Sequence, residues 1–144
     1  MKIKTKIFGE IEFDQKQKIM FKEGLIGFED IHKYILLDFE GNSPFYLLQS
    51  EEFVEIAFIL IDPIIVVNEY KLSLSEDDYS DINAAKDNII TFCIVTMKDN
   101  PADSTINLLG PVIINKDTKA GKQAIALDDN YSVRHPLLNN KGDE

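Results

Sequence analysis

The sequence predicts a mainly all-β protein: an antiparallel, β-barrel-like single domain with one short helix. Two observations support that class. The apolar runs are short, rich in β-branched and aromatic residues, and bounded by Gly, Pro, Asn and Asp. The segment opening at Ser75 is the best helix start in the chain, and the helix it opens is short. A third feature shows how the sheet bends. Gly110-Pro111 separates the apolar runs Ile106 to Leu109 and Val112 to Ile114. Proline fixes its own φ and has no amide hydrogen, so an uninterrupted central ladder cannot pass through it. Many short strands with turn signals and a single helix then imply a barrel or sandwich.

Taken in order, residues 2–13 alternate, with Ile3, Thr5 and Ile7 on one parity and Lys2, Lys4 and Lys6 on the other. That is the period of a half-buried strand, resumed by Ile11 and Phe13 after Gly9-Glu10. The lysines suit edge-strand gatekeepers. Asp14 to Gln17 reads as a turn, and Ile19-Met20-Phe21 as a short strand. The two glycines of Gly24-Leu25-Ile26-Gly27-Phe28-Glu29 predict a tight turn with positive φ or close backbone approach. The spacing is too short for a phosphate loop, and no lysine follows. Tyr34 to Phe39 and Phe45 to Ser50 form a hairpin across Glu40-Gly41-Asn42-Ser43-Pro44. Ile56 to Ile61 is apolar throughout, so both faces are covered. Ile64 to Val67 is β-branched throughout, which favours strand. Ser75 caps a helix with acids in its first turn, exhausted near Ala85. Ile89 to Met97 is a long strand buried on both sides. Lys122 to Leu127 closes the set. Residues 1–138 make up the domain and 139–144 a flexible tail.

The chain's 144 residues favour one domain, and its net charge is −10. The charge is uneven. Residues 1–22 carry six lysines against three acids, and residues 23–109 carry seventeen acids against four bases. Such a surface repels phosphate backbones, so direct nucleic-acid binding is not expected, whereas a basic protein partner is attracted. No signal-peptide block and no membrane-length apolar run is present, which points to the cytoplasm and away from membranes.

Catalytic chemistry finds no pattern here. The two histidines, His32 and His135, form no spaced ligand pair, and the single cysteine, Cys93, lies mid-strand as a small core hydrophobe. Glu51-Glu52, Asp77-Asp78 and Asp128-Asp129 are sequence neighbours, which along a strand point to opposite faces. No catalytic residue, metal site or cofactor is expected. From composition and pattern alone, a small-ligand-binding β-barrel and a carboxylate-based hydrolase stand as alternatives to a protein-binding module.

Four stretches go further. They are Gly24-Leu25-Ile26-Gly27-Phe28-Glu29, Pro44-Phe45-Tyr46-Leu47-Leu48-Gln49-Ser50, Asn107 to Asn115 with its Gly110-Pro111 bend, and Tyr131-Ser132-Val133-Arg134-His135-Pro136-Leu137. In order and spacing they resemble the flagellar assembly factor FliW family across nearly the whole chain. Gly110 departs from the alanine expected before the proline. The resemblance implies a non-enzymatic barrel with two alternative protein partners, flagellin and the translational repressor CsrA. Binding CsrA would relieve repression of flagellin translation, at a place distinct from CsrA's RNA-binding surface. Glu76, Asp77, Asp78 and Asp81, with Tyr79 as an aromatic anchor, are the candidate surface for CsrA: four acids and no base in a short span. The same acids also suit a solvated helix start. Arg134 and His135, beside Pro136, are a second candidate contact. They also fit a structural role in which Arg134 pairs an acid and Pro136 fixes a turn.

Overall fold

In the computed structural model, residues 1–128 and 130–138 are described; the tail expected over 139–144 lies outside them. Eleven strands form: β1 (Lys2–Thr5), β2 (Gly9–Glu12), β3 (Lys18–Phe21), β4 (Lys33–Asp38), β5 (Phe45–Ser50), β6 (Ala57–Ile61), β7 (Ile89–Thr96), β8 (Thr105–Ile106), β9 (Val112–Asn115), β10 (Ala120–Gln123) and β11 (His135–Pro136). The helix α1 spans Glu76–Asp81. Strands β7-β6-β5-β4-β3-β10-β9 run in that order, and β9 pairs back onto β7, closing a seven-stranded barrel. Every pairing is antiparallel except β3 with β10, a short parallel seam at Met20 and Phe21.

The Gly110-Pro111 bend explains how one strand edge serves two partners. Along β7, Val95 pairs with Ile106 of β8, and Phe92 with Val112 of β9. Two residues of β7 separate those positions, against five on the facing chain. The extra residues loop out, which is where a proline is tolerated. The Asn107 side chain accepts from the Gly110 amide at 2.8 Å, and the Gln123 amide donates to the Gly110 carbonyl at 2.9 Å. The apolar run after Ile106 is therefore bend rather than strand, and β8 is shorter than the run suggests.

Alternation places Tyr34, Leu48, Leu60, Phe92, Val112 and Ile114 inside the barrel. The opposite parity is covered from outside by three separate layers. The β1–β2 hairpin lies over Ile35, Leu37 and Leu47. The chain around Val66, Val67 and Tyr70, with Tyr131 and Leu137, lies over Ile61, Cys93 and Val95. Leu74, Tyr79 and Ile82 lie over Ile113. This double cover explains why β6 and β7 read as continuously apolar.

Four further expectations are corrected. The closing strand spans Ala120–Gln123 rather than Lys122 to Leu127, because past Gln123 the Ala124 and Ala126 amides donate to the Pro111 and Leu109 carbonyls of the bend. Residues 64–67 form no strand: Asp62 accepts from the Ile64 amide, Pro63 opens a 3-10 turn, and Ile64 and Ile65 point outward. They pair with no strand among the described residues, so β-branching finds no ladder. The opening alternation stops at Thr5, whose hydroxyl donates to Gly9 and accepts from the Phe8 amide, folding Lys6 to Phe8 into a turn and leaving Ile7 exposed. Helix α1 ends at Asp81, before Ala85, as Asn83 turns to a φ of 52°. The glycine turn is as predicted, with Gly24 at 67° and Gly27 at 90°.

Candidate partner-binding surface

Ser75 accepts a hydrogen bond from the Asp78 amide and sets the start of α1. Glu76 and Asp77 then project into solvent, while Asp78 turns inward. There its carboxylate meets Lys122 of β10 at 2.9 Å, and Asp81 pairs with the same ammonium. Burial lowers the affinity of Lys122 for its proton. Hydrogen bonds to Asp81 and Asp78, with their negative charge, outweigh that loss and hold it above the ordinary lysine value. The single ammonium thus offsets one of the cluster's four negative charges from within, while Glu76 and Asp77 carry theirs without an ion pair among the described residues. Tyr79 is half-buried against Leu74, Ile82 and Ile113, so it anchors α1 as well as facing outward.

Nothing local in the sequence marks Lys122 as the counter-charge, because it lies more than forty residues along the chain from Asp81. Asn115 is a second hidden support. Its amide donates to the carbonyls of Ile82 (2.9 Å) and Asn83 (3.2 Å), and its oxygen accepts from Asp117 and Thr118. It ties the helix end to β9 and to the following turn.

Arg134 and His135 lie elsewhere, in the layer that covers β7 and β8. The Arg134 side chain is exposed and, among the described residues, makes no ion pair; its amide donates to Ser132. His135 opens β11 opposite Ile106, and Pro136 continues that two-residue strand rather than fixing a turn. The two candidate clusters therefore sit in different outer layers. His32 contacts the Phe21 carbonyl through Nδ1 at 2.9 Å. Cys93 is fully buried, and burial pushes its thiol up to about 12, far from thiolate chemistry.

Three of the four characteristic stretches meet at one hollow of about 360 Å³. Leu25 and Ile26 come from the glycine turn, Asn107, Leu109 and Gly110 from the bend, and Val133 from the C-terminal stretch. Gln123 joins them, accepting from the Ile26 amide at 3.0 Å while donating to Gly110. Among the described residues, no charged side chain lines the hollow.

The architecture defines a class: a small closed β-barrel sheathed in three outer layers, with its acidic helix mounted on the outside. The sequence model described as "FliW protein" matches residues 2–137. The flagellar assembly factor FliW of Leptospira biflexa is 41% identical over 138 residues, covering 94% of this chain and 90% of that protein. Its counterpart in Natranaerobius thermophilus is 40% identical over 144 residues, covering 99% and 95%. A crystal structure of the flagellar assembly factor FliW superposes with a TM-score of 0.89 at 31% identity, covering 98% of this chain and 99% of that one. The chain belongs to the FliW family of flagellar assembly factors.

Proposed function

We propose that this protein works in the cytoplasm as a non-enzymatic regulator that binds flagellin and, alternatively, the translational repressor CsrA. When flagellin is scarce, the free protein captures CsrA and relieves repression of flagellin translation. The observation that carries this reading is the similarity over nearly the full chain to flagellar assembly factors. The charge supports it further: a chain at −10 favours a basic protein partner over an RNA backbone.

For CsrA we assign Glu76, Asp77, Asp78, Tyr79 and Asp81, with Glu76 and Asp77 meeting the partner and Asp78 and Asp81 held on Lys122 to present them. Arg134 and His135 form a separate contact. Calorimetric titration of CsrA, with and without saturating flagellin, tests the function: flagellin should abolish or strongly weaken CsrA binding. Failure of the protein to bind either partner refutes it. Charge reversal in Glu76→Lys/Asp77→Lys should weaken CsrA about tenfold and flatten the salt dependence of association. An unchanged affinity at low salt removes α1 from the interface.

A further inference from the structure

A different outer layer carries a second surface. The β1–β2 hairpin pairs Ile3 with Ile11 and Thr5 with Gly9, and the Phe13 amide donates to the Met1 carbonyl at 2.8 Å. In an antiparallel ladder these hydrogen-bonded pairs alternate with non-bonded ones. The backbone groups of Glu10 and Glu12 therefore point away from β1. Among the described residues they find no backbone partner, and both residues are exposed. The outer edge of β2 is an open ladder.

That edge borders a groove of about 580 Å³ lined by Phe8, Ile11, Glu12, Gln17, Leu37, Asp38 and Glu40. The lining takes residues from β2 and its turn but none from β1, which fixes the groove on the open side of the hairpin. Its apolar part is Phe8, Ile11 and Leu37; among the described residues its charged part is three carboxylates and no base. Lys2 and Lys4 stand on the far strand, opposite Glu12 and Glu10. Both walls are fixed in place. Gln49, fully buried, accepts from the Lys6 amide at 2.9 Å and pins the hairpin turn. The Phe8 ring meets Phe39 edge-on at 4.9 Å, and the Gln17 amide donates to Leu36.

We propose that this edge takes up an extended segment of a protein partner as a third strand, with apolar and basic side chains alternating along it. Main-chain bonds to Glu10 and Glu12 hold the segment, as in strand addition to other exposed sheet edges. Its inward side chains lie over Ile11 and Leu37. Its outward basic groups stand beside Glu10 and Glu12 as cross-strand pairs, within the negative field that Asp38 and Glu40 add at the groove. The surface is separate from α1 and holds whether or not α1 meets CsrA.

The test uses the full chain, isotopically labelled for amide NMR, and a capped peptide of roughly six residues alternating valine and lysine. Binding should shift the amides of residues 8–12 and 37–40 and slow exchange at Glu10 and Glu12 about tenfold or more. A valine–glutamate peptide should bind at least about tenfold more weakly, as should the lysine peptide to Glu12→Lys/Asp38→Lys/Glu40→Lys, whose changed residues are all exposed. Methylating the peptide's pairing amides should abolish binding and leaves the protein untouched. Equal binding of the methylated peptide, unchanged affinity in the triple variant, or shifts confined to other surfaces would overturn the proposal. So would a concentration-dependent dimer that already protects Glu10 and Glu12 without peptide, since the edge then belongs to a second copy.

Discussion

Replacing Lys122 by methionine isolates the support beneath α1. Asp78 and Lys122 keep only 12% and 17% side-chain exposure, and the pair lies at 2.9 Å. Removing one partner of a fully buried pair costs about 3–5 kcal/mol, because the other charge is left uncompensated. The residual exposure lets water recover part of that, leaving about 2–3 kcal/mol for Lys122→Met. In a chain of this length that lowers Tm by roughly 6–9 °C. Asp81, more open at 40%, rehydrates and adds little. The stem of methionine keeps most of the apolar packing, so the loss reads charge rather than volume. Urea unfolding of Lys122→Met, Asp78→Asn and the double variant measures it. The double variant should recover at least about 1 kcal/mol relative to the sum of the singles, because the stranded carboxylate is gone. A loss below about 0.5 kcal/mol in Lys122→Met would place the pair among exposed, screened ion pairs and refute its role in holding the helix.

The same lysine sets an alkaline limit. Its proton is held more tightly in the folded chain than its ordinary value of 10.5, so its contribution is complete below that value and is lost as pH rises through the folded one. Urea unfolding at about pH 9 and about pH 11 should show the wild type losing its advantage over Lys122→Met. Gly24→Ala and Gly27→Ala separate strain from collision. Both adopt left-handed φ, costing about 1–2 kcal/mol each, but a methyl on Gly24 also collides with the Phe28 carbonyl and the Glu29 backbone, whereas Gly27 faces open space. Thermal melts should therefore place Gly24→Ala well below Gly27→Ala; equal losses refute the close approach. Asn115→Asp keeps the acceptor to Asp117 and Thr118 but turns a carboxylate onto the carbonyls of Ile82 and Asn83, costing about 3 kcal/mol by urea unfolding. Tyr34→Phe removes a buried hydroxyl with no partner among the described residues, so stability should hold or rise by up to about 1 kcal/mol. A fall of more than that contradicts this reading.

Which parts of this molecule were legible depended on the range of the interaction involved. The Phe45–Ser50 strand, the Gly24 turn and the Ser75 cap are decided within a few residues, and the sequence carries them openly. Ile64 to Val67 misled because β-branching reports only what a residue does on a ladder, and this segment turns at Asp62-Pro63 and pairs with no strand among the described residues. The early end of α1 was hidden for a related reason. It is fixed by Asn115, more than thirty residues away in the chain. The acid cluster at 76–81 read as a free patch since its counter-charge comes from β10, where Lys122 looks like any strand lysine.

The stretches that identify the family are mostly framework. Gln49 catches the hairpin turn, and Ser50 accepts from the amides of Glu52 and Phe53. Asn107 closes the bend, and Asn115 ties the helix end. Each is a polar group whose hydrogen bonds leave few alternatives once it is enclosed, because an unmet buried donor or acceptor costs more than the bond itself contributes. Gln49 and Asn115 fasten outer layers to the barrel, Ser50 and Asn107 set the turns between its strands, and the layers carry the charged side chains that can meet a partner. Glu76, Asp77, Glu12 and Asp38 are themselves exposed, and no backbone geometry demands a carboxylate there. Motifs of this kind reveal the scaffold, while the binding surfaces follow from charge and open backbone edges that become apparent only when the layers are in place. The hollow shared by Leu25, Asn107, Gly110 and Val133 marks where those two kinds of information meet. Its walls are framework motif, yet Ile26 and Val133 stand more than half exposed at its rim.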